Sequence, residues 1–329
     1  MLNLLTDIPG LGVGHATDLL LGSGVTAVVF DAPAVAAVSL RGGAPGTRDT
    51  DLLRPEATVE RVDAIVLSGG STFGLDAAGG VQAALRETGR GTLFGGMPIP
   101  LAPQAILFDL LSGGNKDWGR FPPYRDLGYA AARAAAPGPF ALGSVGAGTG
   151  ATTATAKGGL GSASAVTAGG FRVAAIAAVN AVGSPLVGEG PWFWAAPFER
   201  EAEFGGLGLP PTFRPEHWAP RLKGGAGTAT TIGLVVTDAA LSKPQASRLA
   251  TMADDGLARA VLPAHAPTDG DTIFAAATGA VPLRDPVRDL TEIGFAATLV
   301  MARAIARGVF HATALPGGQA AWRDKFGSL

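Results

Sequence analysis

The sequence contains no cysteine and few charged residues, and these shortages exclude several classes of protein. Because none of the 329 residues is Cys, disulfides, zinc-thiolate sites, iron–sulfur clusters and cysteine nucleophiles are excluded. Only 16% of the residues are charged, with 25 Lys+Arg against 27 Asp+Glu and no basic run. No nucleic-acid partner is therefore expected. Disorder is also excluded, because 47% of the residues are hydrophobic.

No targeting or membrane-spanning segment is recognisable. The first apolar run ends at Thr6 and Asp7, without a basic region before it or a small-residue cleavage site after it. The longest tract of low charge lies between Arg133 and Arg172 and is filled with small residues rather than large apolar ones. It does not fit a membrane span. A cytoplasmic location and no membrane contact are therefore the expectation.

Glycine and proline are abundant, with 49 and 24 residues, which indicates many turns and close backbone approaches. Apolar, β-branched runs predict strands at residues 24–30, 35–40, 64–67, 105–108, 173–179, 231–236 and 272–276. Helical spacing predicts helices at residues 73–86, 127–135, 243–262 and 290–307. Strands occur both singly before helices and in clusters, which favours an α+β layered sandwich over an alternating parallel sheet. One compact domain, residues 1–329, is predicted.

Two Gly-rich loops are candidate binding segments. The segment SGGSTFG, which contains Ser71, lies between a predicted strand and a predicted helix, but its spacing matches neither common nucleotide-binding pattern. A tight turn that shapes a pocket wall is favoured. The loop between Arg41 and Arg48 has two open interpretations, carboxylate binding by either Arg or a solvated loop with local ion pairs.

Neither acidic residues nor histidines form a recognisable metal site. Asp269-Gly270-Asp271 lacks the other ligands of a calcium loop. The two carboxylates could instead orient an amine, and a plain turn is the alternative. The four histidines are far apart and show no ligand or catalytic-triad spacing. No metal and no cofactor are therefore predicted.

The segment GTATTIGLVVTD is a candidate for self-cleavage before Thr230, because an irregular loop passes through small residues into a Thr-led apolar strand. A Thr hydroxyl could attack the preceding carbonyl, and hydrolysis of the resulting ester would free an α-amine. That amine has a reference pKa of roughly 7.7–8.0, which suits a general base. Thr-rich strand starts are common, so spacing alone does not decide the question.

Seven segments in order carry a family resemblance: DIPGLGVGHATD, AVSLRGGAPGTRDTDLL, VDAIVLSGGSTFGLDAAGGV, GSVGAGTGATTATAKGGLGSAS, AAVNAVG, ATTIGLVVTDAALSKPQ and HAPTDGDTIFAAATG. Together they resemble the L-aminopeptidase/D-esterase family, which includes β-peptidyl aminopeptidases and, more distantly, nylon-oligomer hydrolases. The match covers most of the chain from Asp7 to about Gly279. The closing LPGGQAAWRDKFG also resembles the family tail.

The resemblance implies a four-layer α/β/β/α sandwich of the ornithine-acetyltransferase type. It also implies a chain that cuts itself into a large piece, residues 1–229, and a small piece, residues 230–329. Family members usually assemble as tetramers, so a homotetramer of processed heterodimers is expected.

The family's functional positions fall on five residues here, Thr230, Lys157, Asn180, Asp269 and Asp271. The resemblance makes Thr230 the nucleophile and Asn180 the donor to the oxyanion. Lys157 would keep the freed amine neutral. The two Asp residues would hold the amine and Lys157 by charge-assisted hydrogen bonds.

One position departs from the family pattern. The residue before the cut is often Asn in relatives and is Ala229 here. A small residue still lets the hydroxyl approach the carbonyl, but help from an Asn side chain is absent. Slow or incomplete processing is therefore an expectation.

The functional hypothesis is a hydrolase that removes N-terminal residues from short peptides, amides or esters through an acyl-enzyme on Thr230. Substrate contacts are predicted for Ser71, Gly148, Trp192 and Trp194; the last two belong to the aromatic, irregular segment 186–227, which could alternatively pack against a neighbouring subunit. Two other functions remain open. One is an acyltransferase of the ornithine-acetyltransferase type, and the other is an unprocessed, non-catalytic protein that binds an amino acid.

Overall fold

The computed structural model describes residues 1–224 and 229–327, which form eleven strands and five α-helices. The strands are β1 (Leu11–Asp18), β2 (Ser23–Leu40), β3 (Thr47–Arg48), β4 (Arg61–Ser68), β5 (Thr92–Phe94), β6 (Met97–Ile99), β7 (Gln104–Ile106), β8 (Leu160–Val166), β9 (Arg172–Asn180), β10 (Thr230–Ala239) and β11 (Thr272–Val281). The helices are α1 (Ala77–Glu87), α2 (Tyr124–Arg133), α3 (Lys243–Ala260), α4 (Pro286–Phe310) and α5 (Trp322–Phe326).

The long strand β2 belongs to two sheet layers. Its residues 25–29 pair with both β1 and β4, whereas its residues 35–40 pair with β11. Asp31 and Ala32, between these stretches, are exposed. The hydrogen-bonded path β3-β7-β4-β2-β11-β10-β9-β8, with β1 on β2, therefore bends at β2, as strands that pass between packed sheets do. Strands β5 and β6 form a separate hairpin.

Three buried apolar clusters separate four layers. Leu234 of β10 lies with Phe30 in the cluster between the two sheets, whereas its neighbour Val235 lies with Val300 in the cluster against α3 and α4. The third cluster joins β2 and β4 to α1 and α2 and includes Val81. Successive strand residues point to opposite faces, so a strand buried on both sides reads as a continuous apolar run. The predicted four-layer α/β/β/α sandwich is confirmed.

Helix α4 supplies much of one outer cluster. Pro286 is in its first turn, and the Asp285 side chain caps it by accepting the N–H groups of Val287 and Arg288. By length and composition α4 could span a membrane, but 78% of its most apolar window is buried inside the protein. Each large side chain buried there contributes about 1.5–3 kcal/mol. The apolar composition is therefore explained by the core.

The predicted strands and helices all occur, with shifted boundaries, but the longer strands β1 and β8, the short strands β3, β5 and β6 and the short helix α5 were not predicted. The β8 sequence, LGSASAV, consists mostly of small residues and has weak strand propensity. The reason for the small residues is the close approach of α4. A side chain at Gly161 would collide with the Ala304 carbonyl oxygen of that helix. Tertiary packing, rather than local propensity, determines this strand.

Candidate active site

The end of β9 and the starts of β10 and β11 lie at one edge of the sheet layer that these strands form. Strand β9 ends at Asn180, and the antiparallel β10 begins opposite it at Thr230. On the other side, β11 runs parallel to β10 and begins after Asp271, and Ala229 forms a bridge with Asp269. The topology therefore brings together four of the five predicted catalytic residues.

The Thr230 side chain is buried beside the carbonyl group that precedes it. Its Oγ1 donates to the Ala229 carbonyl oxygen at 2.5 Å, and that oxygen also accepts the Gly270 N–H at 2.9 Å. A Cβ on Gly270 would lie 2.7 Å from Thr230 Oγ1, which is too close for a real side chain. Glycine between the two acidic residues is therefore required by the close approach of the hydroxyl.

The Asp pair binds main-chain N–H groups around the start of β10. Asp271 accepts the Thr231 N–H at 2.8 Å and both the backbone and the ring Nδ1 of His265 at 3.0 Å. Asp269 accepts the N–H groups of Val182 and Ala266 at 3.3 and 3.0 Å. Burial, together with the charge of Asp271, raises the pKa of Asp269 to about 6. The pair fixes the loop and strand that surround Thr230.

Lys157 is fully buried, and its partners differ from those predicted. Its Nζ donates to the carbonyl oxygens of Gly148 and Gly158 at 3.1 and 2.8 Å, so Gly148 holds the lysine in this structure. Burial lowers the pKa of Lys157 to about 7, against the opposing charge of Asp109. The carboxylate oxygens of Asp269 bond to main-chain N–H groups and not to this ammonium. The predicted Asp–Lys157 hydrogen bond is therefore replaced by carbonyl contacts and by the charge of Asp109.

Asp109 was not singled out from the sequence. It lies beyond the end of β7 and is completely buried, and it accepts Ser23 Oγ at 2.6 Å and the Gly70 N–H at 2.8 Å. Burial raises the pKa of this carboxyl group. The signal that was available is a carboxylate directly after the predicted strand 105–108. The Gly70-Ser71 turn thus holds Asp109, and Ser71 has the positive φ of 53° that this turn imposes.

Asn180 is held by three neighbours. Its Oδ1 accepts the Thr152 N–H at 2.9 Å and Lys223 Nζ at 2.8 Å, and its Nδ2 donates to the Phe108 carbonyl oxygen at 2.9 Å. Burial lowers the pKa of Lys223 to about 8. Lys223 was also not singled out, although it is the only lysine in the segment 186–227 and precedes Thr230 by seven positions. Its role depends on the path of the loop, which no local pattern specifies.

Part of the aromatic segment forms a cluster around Trp194, whereas its Phe193 stacks on Trp322 in the core. Residues 225–227 of the segment lie outside the described ranges. Trp194 stacks on Phe213 with ring centroids 6.2 Å apart and lies 5.4 Å from Trp218. Trp192 lies 6.3 Å from the His217 ring. A cavity of about 190 Å³ is lined by Trp194, Trp218 and residues 262 and 263. The described contacts of both tryptophans are thus within this cluster, and their predicted contact with substrate stays a prediction.

No metal centre is built by the part of the chain that the structure describes. Within residues 1–224 and 229–327, no group of three or more His, Asp or Glu side chains is placed to hold a metal ion.

A further acidic residue, Asp254 of α3, lies on the other side of His265 from Asp271. It accepts Ser39 Oγ at 2.8 Å and lies 3.5 Å from Arg41 Nε and 3.6 Å from His265 Nε2. Burial raises the pKa of Asp254 to about 6, against the hydrogen bond from Ser39 and the charge of His265. The hydrogen bond to Asp271 raises the pKa of His265. The imidazole therefore lies between two buried carboxyl groups.

We expect replacement of Asp254 by Asn to stabilise the protein more at pH 8 than at pH 5. The folded-state pKa of about 6 exceeds the ordinary value of 3.8, so the folded state must ionise a buried group that the unfolded chain ionises readily. Stability is therefore lost as pH rises from about 4 to 6, and the loss persists above that range. Asn removes the cost, and the difference in Tm between variant and wild type should grow by roughly 2–4 °C.

Thermal unfolding at the two pH values measures this effect. The matched control is Asp255→Asn, because Asp255 is the exposed neighbour on the same helix. An equal Tm difference at pH 5 and pH 8 for Asp254→Asn would show that burial does not govern this carboxyl group.

The comparisons with known proteins agree with the geometry. Residues 3–322 match the family described as Peptidase family S58. An uncharacterized aminopeptidase of Mycobacterium bovis is 41% identical over 357 residues, which cover 99% of this chain and 98% of that protein. A 6-aminohexanoate-oligomer endohydrolase of Kocuria sp. is 30% identical over 288 residues, which cover 84% of this chain and 75% of that protein.

A solved structure has the same fold. The L-aminopeptidase D-Ala-esterase/amidase from Ochrobactrum anthropi, described as a new variant among the Ntn hydrolase fold, aligns with a TM-score of 0.67 and 21% identity. The alignment covers 94% of this chain and 86% of that chain. Fold, family match and relatives therefore confirm the resemblance found in the sequence: the chain belongs to peptidase family S58, a family of hydrolases with aminopeptidase and amidase relatives.

Proposed function

We propose that the chain cuts itself between Ala229 and Thr230 and that the mature enzyme hydrolyses short peptides, amides or esters through an acyl-enzyme on Thr230. The observation that carries this proposal is the buried Thr230 hydroxyl, which lies 2.5 Å from the carbonyl oxygen of its own preceding residue. The two products would be residues 1–229 and 230–329. The substrate would lose its N-terminal residue, as in an aminopeptidase.

In the self-cleavage step, Thr230 Oγ1 bonds to the Ala229 carbonyl carbon and gives up its proton to a neutral amine. Lys157 is the candidate for that amine, since its pKa of about 7 leaves much of it uncharged near neutral pH. The negative charge forms on the Ala229 oxygen, which the Gly270 N–H already contacts at 2.9 Å. The C–N bond then breaks as the protonated amine returns the proton to the Thr230 nitrogen, which leaves as an amine, and water hydrolyses the ester.

Hydrolysis of a substrate would repeat this chemistry with the freed amine as the base. The amine takes the proton of the Thr230 hydroxyl, which bonds to the substrate carbonyl carbon and forms an ester as the leaving amine takes a proton. Asn180 Nδ2 would donate to the oxyanion, and the Asp269–Asp271 pair would keep the amine in place. Water then releases the acyl group. Lys157, as a neighbouring cation or hydrogen-bond donor, would hold the pKa of the amine down.

The substrate class rests on the relatives. One is named as an aminopeptidase and another as an endohydrolase of 6-aminohexanoate oligomers, so both names describe hydrolysis of amide bonds. We therefore propose short amide-linked substrates for this chain. The cluster around Trp194 would form a wall of the approach to the site, because aromatic side chains give apolar burial at low entropic cost.

The test is an assay of purified, fully cut protein on paired amino-acyl anilides and esters, with the amino group either free or acetylated. The proposal expects turnover of the free-amine substrates and weak turnover of the acetylated ones. Equal turnover of both would favour a general amidase. Cut protein that hydrolyses none of the free-amine substrates would contradict the proposed function.

A further inference from the structure

Lys223 contacts the candidate oxyanion donor although it lies in the loop that precedes β10. Its Nζ is 2.8 Å from Asn180 Oδ1 and 3.4 Å from the Thr152 carbonyl oxygen. Its backbone N–H donates to the Val182 carbonyl oxygen at 2.8 Å. The main chain and the side chain of Lys223 thus both contact residues at or just after the end of β9, which positions the ammonium group beside Asn180.

The contacts of Asn180 give this ammonium group a specific effect. The Asn180 Oδ1 accepts Lys223 and the Thr152 N–H, so both lone pairs are used and the orientation of the amide is fixed. One of the two Nδ2 hydrogens is used by the Phe108 carbonyl oxygen, which leaves the second available to a reacting oxygen. A cation on the amide oxygen draws electron density from the nitrogen, and this strengthens the hydrogen bonds that the N–H group donates.

The pKa of Lys223 reflects two nearby carboxyl groups and partial burial. Asp109 and Asp269 favour its charged form, and burial opposes it, so its pKa falls only to about 8. Lys157, the other lysine of the site, has a pKa lowered to about 7 by burial and, in part, by the charge of Lys223. Positive charge on Lys223 is therefore favoured by the carboxyl groups that face it.

We propose that Lys223 is a positioning residue for Asn180, which holds the carboxamide and polarises it so that Nδ2 stabilises the oxyanion on the substrate. This inference rests on the proposed function. It concerns turnover of substrate more than self-cleavage, because the Ala229 oxygen has its own donor in the Gly270 N–H.

A double-mutant cycle between Lys223 and Asn180 tests the proposal on cut protein. Lys223→Met should lower kcat about 10- to 100-fold and change KM by less than about 3-fold, since a transition-state contact is weakened. Lys223→Arg keeps the charge and should recover much of the loss. In an Asn180→Ala background, Lys223→Met should have less than about a 3-fold further effect, because residues that act through one another are not additive.

The alkaline side of the pH profile provides a second readout. In wild type, kcat should decline as Lys223 loses its proton above about pH 8, with Asp109, Asp269 and Lys157 as the charged groups that face it. Lys223→Arg should move that decline to higher pH. A residue that only supports the fold would lower activity at all pH values and leave the profile in place.

Lys325→Met removes an exposed lysine that also contacts a backbone carbonyl oxygen, that of Thr155, and should leave kcat unchanged. The proposal would be overturned if wild type is active and Lys223→Met has the same kcat. It would also be overturned if the losses of kcat from Lys223→Met and Asn180→Ala are fully additive. If Lys223→Met does not fold, the pH profile of Lys223→Arg decides the question. Inactive, cut wild type would instead contradict the proposed function.

Discussion

Thr230→Ala should yield a chain that stays intact and has less than about one-thousandth of the wild-type amidase activity. Both losses have the same cause. The hydroxyl that lies 2.5 Å from the Ala229 carbonyl oxygen is the proposed nucleophile for the cut and, after it, for the substrate. Without the cut, the α-amine proposed as the base is also absent. Intact-mass spectrometry and an amide assay on the same preparation measure the two effects.

Two further variants make this result specific. Thr230→Ser keeps a hydroxyl group and should retain part of both processing and activity. Thr231→Val removes the neighbouring hydroxyl, which has no hydrogen-bond partner among the described residues, and should be cut and active. Cleavage or activity that persists in a clean Thr230→Ala preparation would exclude Thr230 as the nucleophile.

Asn180→Ala should lower kcat by about 10²- to 10³-fold while the chain is still cut. The substrate oxyanion would lose its side-chain donor, whereas the Ala229 oxygen keeps the Gly270 N–H. The variant also leaves the partly buried Lys223 ammonium without its closest partner, so we expect a loss of stability of about 1–3 kcal/mol. Steady-state kinetics on cut protein and thermal unfolding measure the two consequences separately.

Asn115→Ala is the matched control, because Asn115 is exposed and its side chain accepts the nearby Asp117 N–H. It should change neither kcat nor processing. If Asn180→Ala keeps wild-type kcat, the oxyanion donor must be another group, and the proposal for Lys223 loses its basis as well.

The sequence predicts the buried strands and the long helices well, because their apolar patterns are local. The runs at 173–179, 231–236 and 272–276 lie within β9, β10 and β11, and the ends of these strands carry the site. The small-residue strand β8 could not be predicted in this way, since its composition is determined by the close approach of α4. The four-layer arrangement followed from the family resemblance and not from periodicity.

In the candidate site, too, some features were predicted from the sequence and others depend on tertiary structure. Thr230, Asn180, Asp269 and Asp271 were predicted from the family resemblance, and the sheet register brings them together. The charge relations could not be predicted, because they depend on burial and on loop paths. Asp109, rather than the Asp pair, stabilises the charged form of Lys157. Lys223 contacts Asn180 from the loop that precedes β10. The cytoplasmic location and the homotetramer stay predictions.

Intact-mass spectrometry of the purified wild-type protein, with N-terminal sequencing, tests the central claim most directly. The proposed cut gives fragments of 229 and 100 residues, or roughly 23 and 10 kDa when scaled by chain length. The smaller fragment should begin Thr-Thr-Ile-Gly. Because slow processing is the expectation with Ala229 before the cut, samples should be followed over days at neutral pH. A preparation that hydrolyses amides while only the 32.9 kDa chain is present would contradict the account.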